Sequence, residues 1–461
     1  MNLAIEQVDA WLADAERLGP RPAQALRSVA TDSRTIGAGA LYVAIRGERF
    51  DGHDFVAQAL AAGAGGLVLE RAPERPPIVP TWVVPDTRAA LGVLAAAWRR
   101  CFTMPVVAVV GSNGKTTVKE MIGAIMRHAF GEQEVLSTPG NFNNDIGLPL
   151  TLFGLRAHHR VAVLELGTNH PGEIATLAPI AAPSVVVITN AQREHQEFLD
   201  GVLGSARENG SALASLPADG VAVYPGDDDC APVWDLQSGE RPCLRFGVGA
   251  GTERLEMHAP YGSRPDRFIA TLTGEPVEIR LRIAGRHNVR NALAAAGAAL
   301  AVGVSRQDIA AGLTAFTPVG GRLCWFTARA GARVIDDTYN ANPDSVRAAI
   351  DVLAAEPAPR VLVLGEMGEV GAQGPAFHAE IGRYARECGI EHLIAFGEAC
   401  EPAVAAYGER AVLAKSIERL VARLEPLATA GATVLVKGSR VMRMERVLAA
   451  ICVDMPATEA H

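Results

Sequence analysis

At 461 residues, 49% hydrophobic but only 5% aromatic, the chain has apolar material for several cores built mainly from Ala, Val, Leu and Gly; such cores suit close helix–sheet packing better than an aromatic-filled β-sandwich. At roughly 150 residues per domain, the length points to about three domains. A formal net charge of -8 with no run of clustered Lys/Arg excludes a nucleic-acid binder that works through a basic stripe and leaves local basic pockets suited to a phosphorylated small molecule.

Residues 1 to about 100 hold short apolar strands at Ala40–Ile45, Gly66–Leu69 and Trp82–Val84, a Pro-rich loop at Pro73–Pro80, and helical periodicity over Thr87–Phe102. The continuous apolar run Pro105–Val110 reads as a buried parallel strand and Val118–His128 as the helix after it. Further strands are expected at Val161–Leu164 and Val185–Thr189. The Gly/Asp/Pro-rich zone Pro217–Pro232 reads as loop and strand edge, 253–283 as a few antiparallel strands, and Asn288–Val302 as a small-residue helix. A third βα pattern, with strands at Arg333–Asp336, Arg360–Leu364, His392–Phe396 and Thr433–Val436, implies another parallel sheet.

The seven cysteines (Cys101, Cys230, Cys243, Cys324, Cys388, Cys400 and Cys452) are odd in number and scattered, with no C-x-x-C. They read as free thiols of a reducing compartment, neither a disulfide framework nor a zinc site. The N-terminus carries acids where a signal peptide needs a basic and then an apolar stretch, and the weakly polar run Ala292–Val304 is too short to span a bilayer. A cytoplasmic protein with no membrane insertion and no nucleic-acid partner is expected.

The strongest local signal is Gly111-Ser112-Asn113-Gly114-Lys115-Thr116-Thr117, between the apolar strand and the helix. Polyphosphate binding needs inward-facing backbone N–H groups, hence no bulky Cβ at the tight points, and a helix N-terminus aimed at the anion. Lys115 supplies a point charge for the outer phosphates, and the Thr116 hydroxyl can ligate Mg²⁺. The longer G-x-x-x-x-G-K-[ST] pattern would need Gly at 109, where the chain has Val109, so this is the shorter G-x-x-G-K-T form.

Glu165, at the C-terminal end of an apolar strand, lies where α/β sheets bind ligands; it reads either as a Mg²⁺ or water ligand or as a cap. His195, six residues past Thr189, falls at the same sheet edge, whereas His158, His159, His170 and His378 read as structural. The polar cluster Asp336-Asp337-Thr338-Tyr339-Asn340-Ala341-Asn342-Pro343 serves equally as site or as helix cap. Gly365–Gly371 has G-x-x-G-x-x-G spacing, which is not a dinucleotide fingerprint. On these residues alone, a nucleotide-driven switch and a nucleotide-sugar-binding protein stand beside an ATP-dependent enzyme.

Taken together and in this order, the motifs resemble the Mur ligase family over nearly the whole chain. The matching segments are Thr31–Arg34, Ala44–Gly47 and Asp51–Asp54; the loop Gly111–Thr117; Glu165–Glu173; Ile188–Asn190 with His195; Gly285–Leu293; Gly321-Arg322; Asp336–Pro343; and Lys437–Arg440. Gly140–Gly147, Tyr339–Pro343 and Gly371–His378 resemble the member that adds a dipeptide, D-alanyl-D-alanine, to UDP-N-acetylmuramoyl-tripeptide. The Asp-Asn-Pro-Arg of the diaminopimelate-adding neighbour is absent.

The resemblance implies an α/β, three-domain fold: a UDP-substrate-binding domain at 1–100, a P-loop central domain of mainly parallel sheet at 101–317, and a Rossmann-like C-terminal domain at 318–461. It implies ATP and Mg²⁺ as cofactors and a monomer. Lys115, Glu165 and His195 would be catalytic. Gly111, Ser112, Asn113, Gly114, Lys115, Thr116, Thr117, Asn291, Arg322 and Asp337 would bind ATP. Thr116, Glu165 and His195 would hold metal. Ser33, Arg34, Arg46, Gly47, Asn141, Asn143 and Asn144 would bind the UDP-linked substrate. Asn209 stands where many members carry a lysine, carbamylated in some, so no carbamylated lysine is carried over.

Overall fold

In the computed structural model, the described residues are 1–260, 262 and 264–453, and they form three α/β sheets in chain order. The end of the expected 318–461 unit, from residue 454, lies outside them. The first sheet has five strands, in the order Glu16–Leu18, Thr81–Val83, Gly66–Leu69, Ala40–Val43 and Ser28–Ala30; only Glu16–Leu18 runs antiparallel to its neighbour.

The central sheet has nine strands. Seven are parallel, with Val106–Val110 between Val185–Ile188 and Val161–Glu165, and the hairpin Phe268–Leu272/Glu275–Ile279 closes one edge antiparallel. The Val106–Val110 strand is wholly buried because both its faces are covered. Val107 and Val109 join the layer holding the Lys115–Phe130, His287–Ala301 and Arg306–Ala315 helices, while Val106, Ala108 and Val110 join the opposite layer with Thr87–Arg100 and Glu173–Ala181. Side chains alternate at period two, so an unbroken apolar run is what a two-sided strand requires. Asp86 starts the Thr87–Arg100 helix by accepting from Arg88 N and Ala89 N. That helix's Leu91, Leu94 and Trp98 share one core with Trp82 of the first sheet and Leu177 of the Glu173–Ala181 helix.

The third sheet has six strands. Arg333–Asp337, Thr433–Lys437, Arg360–Gly365, His392–Phe396 and Ala411–Ala414 are parallel in that order, and Cys324–Thr327 is antiparallel at the edge.

One expectation fails. Within Pro217–Pro232, Val221–Pro225 is an interior parallel strand between Val185–Ile188 and Cys243–Val248, and a helix begins at Ala231. The flanking Gly, Asp and Pro residues are the tight connections at its two ends, and they mask a five-residue strand. Among the described residues no helix is long and apolar enough to cross a membrane.

Candidate active site

The C-terminal end of Val106–Val110 turns directly into the glycine loop, and helix Lys115–Phe130 begins at its far side. Gly111 has φ 126° and Gly114 φ 83°, both in the left-handed region. A Cβ on Gly111 would strike the Thr189 hydroxyl, and one on Gly114 would lie 2.8 Å from Asn291 Oδ1. Only glycine fits either place. The loop is pinned from outside: Gly111 N donates to Asn209 Oδ1 (2.8 Å), Asn113 N to Asn190 Oδ1 (2.9 Å), and the Thr189 hydroxyl to Asn113 O (2.8 Å). Asn209 is fully buried and spends its amide on Gly111 N and Ser205 O, so it anchors the loop.

Lys115 Nζ donates to Gly111 O (2.5 Å), Ser112 O (3.0 Å) and Glu194 Oε2 (3.1 Å). Glu194 is only 5% exposed. Burial raises its carboxyl above the usual carboxylate range, with Lys115 and His195 opposing.

Glu165 sits opposite Val109 in the sheet register, one strand from the loop, and is 3% exposed. Its Oε1 accepts from Asn143 Nδ2 at 2.8 Å, and its backbone N–H donates to the Thr138 hydroxyl. Its Oε2 is buried with no hydrogen-bond partner. A buried, unpaired carboxylate oxygen is expensive unless a cation takes it, so this donor fits a hard divalent ion. Among the described residues no three His, Cys, Asp or Glu side chains converge as a ready-made metal cluster.

Arg193, Glu194 and His195 follow the Val185–Ile188 strand and face three ways. Arg193 forks onto Asp344 (Nη2–Oδ1 2.6 Å) and Glu380 (Nη1–Oε2 2.7 Å), both on C-terminal helices. Glu194 turns to Lys115. His195 Nδ1 lies 2.7 Å from Glu369 Oε2, and its Nε2 lies 4.0 Å from Glu194 Oε2. His195 and Glu369 both have left-handed backbones (φ 46° and 57°), which costs a non-glycine residue about 1–2 kcal/mol. Two such residues meeting across the sheets mark a built contact.

From the third sheet, Arg322 Nη2 donates to the Thr116 hydroxyl (2.9 Å), and its guanidinium lies over the Tyr339 ring, 4.1 Å from the centroid. The alternation of the Arg333–Asp337 strand divides its two carboxylates. Asp336, buried and raised by desolvation, accepts from Gly321 N and Thr338, holding the turn that carries Arg322. Asp337 lines the cavity and accepts from Lys437 Nζ (2.6 Å). Asn342 caps its helix, accepting from Ser345 N, and also donates to Asn113 Oδ1 at 2.8 Å. The cap reading of this polar cluster is realised, and Asp337 and Asn342 also line the cavity.

A cavity of about 760 Å³ takes in Ser112–Thr117, Glu165, His195, Asn291, Arg322 and Asp337 of the expected set, together with Asn141, Asn143 and Asn144. Gly111, the first residue of the loop, does not line the cavity. Gly47 lines a second, open hollow with Thr31, Arg49 and Phe50. Ser33, Arg34 and Arg46 line neither: Ser33 is buried against Gln58, while Arg34 is exposed and pairs with Asp32. Sequence reasoning passed over Arg193 and Glu194. The available signal was three consecutive ionisable residues just past a buried strand's C-terminal end.

The comparisons agree with this architecture. Residues 26–128 match the family model "Mur ligase family, catalytic domain", 109–299 the Mur ligase middle domain, and 321–440 "Mur ligase, glutamate ligase domain". The chain is similar to the UDP-N-acetylmuramoyl-tripeptide–D-alanyl-D-alanine ligase of Escherichia coli (strain K12), with 38% identity over 92% of this chain and 94% of that one. It is also similar to that of Bacillus subtilis (strain 168), with 33% identity over 92% of each. In structure it resembles MurF from Acinetobacter baumannii (TM-score 0.90, 33% identity, 97% and 98% covered). The MurF ligase from Thermotoga maritima in complex with ADP is similar too (TM-score 0.80, 27% identity, 92% and 96% covered). With all three sheets matched and relatives more than 30% identical along nine-tenths of its length, the chain belongs to the Mur ligase family.

Proposed function

We propose that this chain is the ATP-dependent ligase that joins D-alanyl-D-alanine to UDP-N-acetylmuramoyl-tripeptide, a cytoplasmic step of peptidoglycan precursor synthesis. The observation that carries the reading is the Thr116–Arg322 contact over a shared cavity, which sets a phosphate loop against a second polar wall with room for an acceptor. The substrates follow from the printed names of relatives that match nearly end to end.

A carboxylate is a poor acyl donor because oxide would have to leave. Phosphorylation from ATP gives an acyl phosphate; the dipeptide amine attacks its carbonyl carbon, and phosphate leaves. The protein's share is positioning and charge neutralisation. Lys115 and the N–H groups that open the Lys115–Phe130 helix hold the outer phosphates. Arg322 meets them from the opposite wall, and Asn291 and Asp337 hold the adenine and ribose ends. Thr116, Glu165 and His195 would hold Mg²⁺, which neutralises phosphate charge. Asn141, Asn143 and Asn144 line the cavity beside Glu165, where the tripeptide carboxylate must arrive, and the first sheet, with Gly47 at its hollow, takes the uridine end. The division 1–100, 101–317 and 318–461 goes with these three tasks.

The test is phosphate release. It should require the UDP-muramoyl tripeptide and D-alanyl-D-alanine together and stay near background with free amino acids. Hydrolysis indifferent to both substrates would mark a nucleotide-driven switch and sink the proposal.

A further inference from the structure

Lys115 has three N–H donors, and all three are committed: to Gly111 O, Ser112 O and Glu194 Oε2. The two carbonyls belong to the loop and move with the lysine. Glu194 reaches in from another strand end, so it is the partner that must yield when the ammonium turns to a phosphate oxygen. Once released, Glu194 is a carboxylate 5% exposed whose Oε1 already has no hydrogen-bond partner. An anion left so placed is unfavourable unless a cation replaces the lysine. The neighbouring group is His195, whose Nε2 lies 4.0 Å from Glu194 Oε2 while its Nδ1 faces Glu369 Oε2 at 2.7 Å. An imidazole held at Nδ1 presents Nε2 as the ligating nitrogen.

We infer that Glu194 is a partner-exchanging carboxylate of the phosphate site: it neutralises Lys115 in the arrangement seen here and, when polyphosphate takes the ammonium, joins His195 in holding a divalent cation. The inference rests on the nucleotide-binding part of the proposed function. It assigns to Glu194 two effects of opposite sign, competition for Lys115 without metal and support of a cation with it. A residue that merely packs has neither.

The experiment uses the full chain, its Glu194→Gln variant and the charge-keeping Glu194→Asp variant. Binding of the β,γ-methylene analogue of ATP is measured by calorimetry in EDTA, and bound Mn²⁺ is counted by electron paramagnetic resonance with the analogue saturating. In EDTA, Glu194→Gln should bind the analogue about tenfold more tightly, because no anion competes for Lys115. With Mn²⁺ it should hold one ion fewer per chain, and Glu194→Asp should restore that ion. Equal or weaker EDTA binding by Glu194→Gln, or an unchanged Mn²⁺ count, overturns the inference. Neither measurement needs the muramoyl peptide or the dipeptide, so a chain that shows the contrast yet fails to ligate loses only the functional reading. Absence of analogue binding by the unmodified chain overturns both.

Discussion

Arg322 donates to the Thr116 hydroxyl at 2.9 Å, tying residues 206 apart in sequence into the wall of one cavity. Its Nε is buried without a partner, and Tyr339 supports the guanidinium plane from one face, so the group is held ready for an anion. Arg322→Ala should therefore lower kcat/KM for ATP about a hundredfold, the size of effect seen on losing a preorganised donor to developing charge. Arg322→Lys should recover only part, since an ammonium lacks the planar fork. Unchanged ATP kinetics in the alanine variant would remove Arg322 from the site.

Lys115→Ala should abolish most turnover, and it should also do something the loop motif alone does not imply. It strands Glu194, buried and unpaired, at a cost of about 3 kcal/mol. The apparent Tm of Lys115→Ala should fall, and that of Lys115→Ala/Glu194→Gln should return toward the parent while activity stays lost. Equal Tm values for parent and single variant would show that the pair carries no such coupling.

Arg193 is the main ionic strap between the central and C-terminal sheets, with two carboxylates on its guanidinium and Phe377 beneath it. Both carboxyls partner it through hydrogen-bonded forks, and this pairing holds Glu380 below the usual carboxylate range. Arg193→Ala should loosen the contact between the central and C-terminal sheets' domains. Small-angle scattering should give a larger radius of gyration, and KM should rise more than kcat falls. A radius of gyration identical to the parent's would count against a strap.

His378 sets a pH dependence away from the chemistry. It is fully buried; its Nδ1 donates to Gly374 O (2.8 Å) and its Nε2 accepts from Met367 N (3.1 Å), a pattern only the neutral ring satisfies. Burial holds its pKa below the ordinary value of about 6.5. Because the folded value is the lower one, this stabilisation is fully present above about pH 6.5 and is lost as pH falls through the folded value. Hydrogen exchange of the Met367–Gly374 backbone, the segment that delivers Glu369 to His195, should quicken on acidification in the parent. In His378→Leu it should be faster throughout, without that pH step. A step retained in the variant would assign the effect elsewhere.

What the chain determined locally was legible in it. The glycine loop, its strand and its helix are neighbours in sequence, and their chemistry (no Cβ, one lysine, one threonine) has no substitute, so the strand–loop–helix order read correctly, although the helix opens at Lys115 and not at Val118. Glu165 and Asp337, each ending an apolar strand, do line the cavity, but the residues alone left both open between site and cap. The interior strand Val221–Pro225 was not legible, because five residues between turn-formers carry too little periodicity, and burial by its neighbours made it a strand. Nor could sequence rank Arg193, Glu194 and His195. Three consecutive ionisable residues on a solvent face would be unremarkable. Only tertiary packing, with Lys115 on one side and Asp344, Glu380 and Glu369 on the others, removes the water that would otherwise screen them. That loss of screening turns adjacent charges into a strap, a counter-ion and a held imidazole.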